Sequence, residues 1–266
     1  MSTVVIVPAR LASTRFPEKV LASATGRPLV QHVVDAARGA RCVGGAGGAG
    51  RVVVAADDAR IAAALRPFGT EVILTRVDHA NGTSRLGEAA AVLGLREEDV
   101  VINAQGDEPE LDAHALDAAL AALEGTAHAA IGTVATPITS ARELADPNVV
   151  KVVRRVDGTA LYFSRAGIPV DRDEALRMGR SGTGAAALGL RHVGVYAYRV
   201  NFLRAYAELK ATALEELERL EQLRALEHGY TIAVELCRAP EPGVDTPEQY
   251  AAFVERWRKR EGERGG

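Results

Sequence analysis

The 266-residue chain predicts an α/β fold, on three features read together. Short β-branched runs alternate with amphipathic helical patterns along most of its length. A composition of 47% hydrophobic and 25% charged residues is enough to bury a sizeable core. The longest apolar runs, at 51–56 and 131–138, fall far short of the roughly 20 residues that cross a bilayer, so no membrane span is expected.

Strands are predicted near 3–7, 51–56, 71–75, 99–103, 130–135, 149–154, 192–199 and 231–236, each a run rich in Val, Ile or Thr. Between Asp112 and Leu123 the pattern is helical: Leu116, Leu120 and Leu123 recur at i, i+4 and i+7, and His114 falls on the solvent side. The longest helix is predicted from about Thr212 to His228, stopped by Gly229. Gly45, Gly47 and Gly50 match the spacing of a dinucleotide-binding turn, but a strand follows them where that turn needs a helix, so 43–50 reads as a connecting loop. A second glycine-rich stretch at 179–187 reads as a lid or as a tolerated insertion, and the residues leave both open. Past Arg256 a mixed-charge tail is expected to fray.

Charge and cysteine usage narrow the function. A net charge of -3 offers no broad basic face for nucleic acid, so a bound anion should be small. Cys42 and Cys237 belong to no CxxC or Cys/His cluster and read as idle thiols. Met1-Ser-Thr-Val enters an apolar strand with no basic leader before it, and a cytoplasmic location is the expectation.

Four loops carry the candidate chemistry. After the first strand come Pro8, Ala9, Arg10, Ser13, Arg15 and Lys19, in a loop with three cations and a single acid that Pro8 and Pro17 restrict at its two ends. With no Walker A pattern, a phosphate chain here would be held by Arg and Lys side chains and loop amides. The strand near 99–103 runs into Gln105, Gly106 and Asp107, where a carboxylate at a strand C-terminus suits a magnesium that bridges protein to phosphates. Asp245 precedes Thr246-Pro247-Glu248-Gln249, a capping box, and reads either as a second metal carboxylate or as ordinary helix-start chemistry. Arg76, Gly82, Thr83 and Arg85 follow another strand and suit the acceptor-rich edge of a pyrimidine.

The second half is less decided. Alternation puts His192, Gly194, Tyr196 and Tyr198 on one strand face, which is either a ligand face or a packed one. Glu218, Glu221 and Gln222 share one side of the long helix at i, i+3 and i+4 and are candidates for sugar hydroxyls. Arg165 flanks a further strand.

Taken in order, these pieces resemble the 3-deoxy-manno-octulosonate (Kdo) cytidylyltransferases, or CMP-Kdo synthetases. The resemblance runs through Pro8-Ala-Arg10, Ser13-Thr-Arg15, Lys19, Thr75-Arg-x-Asp78-His79, Gly82-Thr-x-Arg85, Gln105-Gly-Asp-Glu-Pro109, Asn148-x-Val-Lys151, Tyr162-Phe-Ser-Arg165, Leu190-Arg-His192, Leu220-Glu-Gln-Leu-Arg224 and Gly243-Val-Asp-Thr-Pro247, covering about 3–255. It implies a Rossmann-like three-layer α/β/α nucleotidyltransferase with a mixed, mostly parallel central sheet. It implies one domain over 1–255, with a CTP-binding half at about 1–130, a sugar-binding and dimerisation half at about 131–255, and a charged tail at 256–266. The implied reaction is CTP + Kdo → CMP-Kdo + diphosphate, in the cytoplasm, on the route to lipopolysaccharide, by a homodimer that needs Mg²⁺.

Residue by residue, the resemblance assigns catalysis to Arg10, Arg15, Lys19 and Asp107, and the metal to Asp107 and Asp245. CTP contacts fall to Pro8, Ala9, Arg10, Ser13, Arg15, Lys19, Arg76, Gly82, Thr83, Arg85, Gln105 and Gly106. Sugar contacts fall to Arg165 and His192 for the carboxylate, and to Tyr196, Glu221 and Gln222 near the hydroxyls. The chain departs from the family at the 43–50 loop, at Glu18 and Val20 beside Lys19, and over 174–188. Glu18 is expected to set a negative charge beside the triphosphate anchor. The rival readings are a cytidylyltransferase for another acidic sugar and a non-catalytic nucleotide-binding paralogue.

Overall fold

Nine strands and ten α-helices make up the described residues of the computed structural model, which are 1–44, 50–79, 81–173, 189–239, 241 and 243–264. The central part of the glycine loop, 45–49, and the segment 174–188 lie outside them. The strands are β1 (Thr3–Ala9), β2 (Arg51–Ala56), β3 (Glu71–Leu74), β4 (Val100–Asn103), β5 (Ala129–Pro137), β6 (Lys151–Arg154), β7 (Ala160–Ser164), β8 (Leu190–Arg199) and β9 (Thr231–Leu236). The helices are α1 (Leu29–Arg38), α2 (Arg41–Gly44), α3 (Ala59–Leu65), α4 (Gly82–Val92), α5 (Ala113–Gly125), α6 (Ala141–Ala145), α7 (Val200–Tyr206), α8 (Ala213–Glu218), α9 (Glu221–Glu227) and α10 (Pro247–Arg264).

The strands form one sheet in the order β3-β2-β1-β4-β8-β5-β9, with the β6–β7 hairpin branching from β8. β1 to β4 pair in parallel, β8 runs antiparallel to both β4 and β5, and β9 is parallel to β5. Side-chain alternation splits the core in two. Val5, Val7 and Ile102 face α1 and α5 through Val33 and Leu116, while Val4, Ile6 and Val101 face α4, α7 and α9 through Leu86, Leu203 and Leu223. That gives the mixed, mostly parallel three-layer sheet expected.

β5 and α5 lie very close. A Cβ built on Gly132 would stand 2.2 Å from the Ala119 carbonyl oxygen and 2.7 Å from the Leu123 amide nitrogen, both backbone atoms that cannot turn aside. Only glycine lets the helix settle this near the strand.

Two helical expectations are corrected. The run from Thr212 to His228 is not one helix: α8 ends at Arg219, which takes a left-handed φ of 53°, and α9 begins after Leu220. The break lets Leu220 and Leu223 enter the core and sends the flanking carboxylates in different directions. Glu218 turns to β7, accepting hydrogen bonds from the Ser164 hydroxyl (2.6 Å) and the Arg165 amide (2.8 Å), so it is parted from Glu221 and Gln222. Nor does the chain fray after Arg256. α10 runs on to Arg264, and Arg256 and Arg260 both pair with the Glu110 carboxylate, which is almost fully buried. The capping box forms as expected, with Gln249 Oε1 accepting from the Asp245 and Thr246 amides and the Thr246 hydroxyl accepting from the Gln249 amide.

α10 docks through a small third core of Leu29, Val244, Phe253 and Val254. The His32 ring is wedged there, 4.3 Å from Trp257 and 5.1 Å from Phe253 between ring centres. Burial pushes its pKa down to about 4, with smaller opposed contributions from Asp35, Arg27, Arg260 and Glu110.

Two outcomes follow. Gly132→Ala should overpack the β5–α5 contact by about 1–3 kcal/mol and lower Tm by several degrees in a thermal melt. The unfolded chain binds a proton to His32 that the folded chain refuses, so this residue's contribution is complete above pH 6.5 and is lost as pH falls towards 4. Across that window the stability of His32→Gln should fall with pH less steeply than wild type, by up to about 1.4 kcal/mol per pH unit.

Candidate active site

The parallel strands end on one edge of the sheet, where loops meet in a cavity of about 700 Å³. Because β8 runs against β4, it starts at that same edge, with Tyr196 directly opposite Asn103. The loop after β1 lines the cavity with Pro8, Ala9, Arg10, Ser13, Arg15 and Lys19; the loop after β4 adds Gln105, Gly106 and Asp107. The start of α4 contributes Gly82, Thr83 and Arg85, β8 gives His192 and Tyr196, α9 gives Glu221 and Gln222, and Asp245 closes the rim.

At its centre Lys19 joins two carboxylates. Its ammonium donates to Asp107 Oδ2 at 2.7 Å, to Asp245 Oδ1 at 2.8 Å and to the Val244 carbonyl at 3.0 Å. Arg15 reaches the second oxygen of Asp245 at 2.9 Å. Burial alone would lower the Lys19 pKa, but Asp107 and Asp245 outweigh it and hold the ammonium above its usual value. Likewise, burial would raise Asp245, but Lys19 and Arg15 keep it below the ordinary carboxylate range. Two hard oxygen donors converging on one point from separate segments fit a divalent cation of the magnesium kind. Such an ion is commonly held by one or two carboxylates, with water and substrate phosphates completing its shell. Arg10, Arg15 and Lys19 together give this end a cationic lining suited to phosphates.

Glu18 does not oppose that lining. It sits at a left-handed φ of 55°, outside the cavity, and pairs with Arg60 at 2.6 Å, so its charge is turned away and neutralised. Lys151 acts from below. Fully buried, its ammonium donates to the carbonyls of Asp146 (2.8 Å), Val149 (2.6 Å) and Arg165 (2.6 Å), which fixes the turn whose Asn148 and Val149 reach the cavity.

The other end carries hydrogen-bonding groups of mixed charge. Thr133 gives its only proton to the Val195 carbonyl (2.7 Å), so the 3.0 Å contact with His192 must be a bond donated by the ring Nε2–H. Burial pushes the His192 pKa down to about 3. The ring is neutral and keeps an acceptor at Nδ1, which suits a hydroxyl better than the carboxylate expected for it. Glu221 accepts from the Thr83 hydroxyl at 2.8 Å and from its amide at 3.3 Å, so a residue expected to read the base is already committed to one expected to meet the sugar. The acid also stabilises the N-terminus of α4. The space that Gly194 leaves is filled by protein. A Cβ there would lie 2.4 Å from Gln105 Nε2, which donates to the Gly194 carbonyl.

Arg85 lines the cavity but is deeply buried, donating to the Thr75 hydroxyl (2.6 Å) and the Arg76 carbonyl (3.2 Å). Two expected residues fall outside the lining. The Arg76 side chain is 70% exposed, beside Asp78. Arg165 spends its guanidinium on the carbonyls of Glu218 (2.7 Å) and Pro147 (2.9 Å), which leaves it turned from the cavity. Residues that the sequence reading left out also reach the cavity, among them Asn103, Glu108, Arg191, Tyr206 and Arg219. Arg191 was signalled by its place beside His192. Arg219 had no signal, since only the helix break aims it inward.

Residues 4–232 match the family model described as "Cytidylyltransferase". The chain is 50% identical over 249 residues to a 3-deoxy-manno-octulosonate cytidylyltransferase of Acidovorax sp. (strain JS42), covering 91% of this chain and 92% of that one. It is 46% identical over 254 residues to the protein of the same name from Syntrophobacter fumaroxidans, covering 96% of each. Among solved structures, a CMP:2-keto-3-deoxy-manno-octonic acid synthetase complexed with CTP superposes with a TM-score of 0.85 at 36% identity, over 98% of this chain and 100% of that one. On sequence and fold alike, over nearly the whole of its length, the chain belongs to the 3-deoxy-manno-octulosonate cytidylyltransferase family.

Proposed function

We propose that this protein transfers the cytidylyl group of CTP to 3-deoxy-manno-octulosonate, giving CMP-Kdo and diphosphate for lipopolysaccharide synthesis in the cytoplasm. The observation that carries the reading is the Lys19 bridge: one ammonium gathers Asp107 and Asp245 at the mouth of a cavity that is cationic at one end and carries mixed hydrogen-bonding groups, with Arg191 and Glu221 among them, at the other. A triphosphate and a polyhydroxylated acid need such a division.

In the reaction the anomeric 2-hydroxyl oxygen attacks the α-phosphorus and gives up its proton to solvent, the bond from that phosphorus to the β-phosphate oxygen breaks, and diphosphate leaves. Arg10, Arg15 and Lys19 bind the triphosphate and neutralise the leaving group; Pro8, Ala9, Ser13 and Gly106 shape the loops around it. Asp107 and Asp245 would hold Mg²⁺, which would supply charge neutralisation for the phosphates and acidify a hydroxyl. Lys19 exchanges its carboxylate partners for phosphate oxygens once the nucleotide enters. Gly82, Arg85 and Gln105 form the nucleoside side. His192, Tyr196, Glu221 and Gln222 meet sugar hydroxyls. For the carboxylate we infer Arg191, one-third exposed in the cavity lining and held by a 3.5 Å contact with Glu143, in preference to Arg165, which donates to two carbonyls outside the lining. Most of the acceleration comes from positioning and charge neutralisation, with no covalent intermediate.

The CTP half is residues 1–130 and the sugar half 131–255. The reading includes a homodimer formed through the sugar half.

Asp107→Asn should abolish diphosphate release at saturating CTP and Mg²⁺ while the protein remains folded by circular dichroism. Lys19→Ala should cut kcat/KM for CTP by about two to three orders of magnitude. Retained turnover in the first variant, or unchanged CTP kinetics in the second, would refute these roles.

A further inference from the structure

Asn103 ends β4 as a polar residue after three apolar ones, and its side chain is only 8% exposed. It is the direct antiparallel partner of Tyr196, and side chains of directly opposed residues leave a sheet on the same face. The amide therefore stands beside the Tyr196 ring, which is stacked 5.5 Å from Tyr198 and lies 5.2 Å from the His192 ring.

A primary amide has two N–H donors and two acceptor lone pairs. At Asn103 the buried Oδ1 has no hydrogen-bond partner among the described residues. Gln222, in the same cavity lining and 7% exposed, has the complementary orphan, a buried Nε2 without an acceptor. Buried polar atoms left unpaired cost stability, and an apolar residue of similar size would serve the sheet better. An unmet donor and an unmet acceptor together in one cavity call for a ligand that carries both kinds of group, as each hydroxyl of a polyol does.

We propose that Asn103 is a substrate-binding residue for the acceptor sugar, its amide exchanging hydrogen bonds with one hydroxyl while Gln222 Nε2 donates to a neighbouring sugar oxygen. This rests on the octulosonate being the acceptor.

Steady-state diphosphate release by wild type, Asn103→Ala and Asn103→Leu, varying Kdo and CTP separately, tests it together with thermal melts taken without substrates. The expected result is a rise in KM for Kdo of about tenfold or more, with KM for CTP changed by less than about twofold. Asn103→Leu should melt no lower than wild type, because the buried Oδ1 it removes has no hydrogen bond to lose in the free protein. An unchanged KM for Kdo, or a rise confined to CTP, would overturn the proposal. So would both variants melting well below wild type with kcat and both KM values shifted together, which marks a structural residue. Wild type that releases no diphosphate from CTP and Kdo would instead overturn the acceptor assignment, a different failure from an active enzyme indifferent to Asn103.

Discussion

The site depends on a single ammonium placed between two carboxylates. Lys19 lies 88 residues from Asp107 and 226 from Asp245, and its nitrogen is within 2.8 Å of both. Two carboxylates held this close repel each other unless a cation lies between them, and Lys19 with its 12% exposed side chain supplies it. The same contact fastens the β1 loop and the entry to α10 to the end of β4. The C-terminal helix, with its own small core and the arginines that clasp Glu110, thereby helps to hold Asp245 in place.

Around that point the mixed sheet divides the work. Parallel strands β1 to β4 bring their C-terminal loops to one edge, where backbone amides and long cationic side chains can reach a phosphate chain. Antiparallel β8 delivers a strand start to the same edge, so Arg191, His192 and Tyr196 face the nucleotide side without a crossover helix between. The break at Arg219 completes the arrangement by separating Glu218, which braces β7, from Glu221, which meets Thr83 at the head of α4.

Much of this was legible in the sequence. Runs rich in Val, Ile or Thr marked eight of the strands, because β-branched side chains pack well on a pleated, buried surface. The ninth, β7, was named only as a flank of Arg165, since Leu161-Tyr-Phe-Ser164 is short and follows no clean alternation. The cationic loop and Asp107 were visible as charges beside strand ends, and Asp245 as an acid just before a capping box. What escaped depends on contacts between distant residues. Nothing in the run from Thr212 to His228 announces a residue with positive φ, and the break follows from burying Leu220 and binding Glu218 to β7. The tail looked frayed because Glu110, the acid that pairs with its arginines, lies 146 residues before Arg256. Arg165 follows β7 and Arg191 lies near the start of β8, and only the folded chain shows that Arg191 reaches the cavity while Arg165 donates to the Pro147 and Glu218 carbonyls.

The account stands most directly on which substrates this cavity joins. Diphosphate release should be measured with CTP, Mg²⁺ and Kdo, beside parallel reactions with N-acetylneuraminate replacing Kdo and with UTP or ATP replacing CTP. Release with CTP and Kdo alone is the result the account predicts. Release with another acidic sugar in place of Kdo would contradict the assignment of the His192–Gln222 end, and no release with any pair would contradict the catalytic reading of the Lys19 bridge.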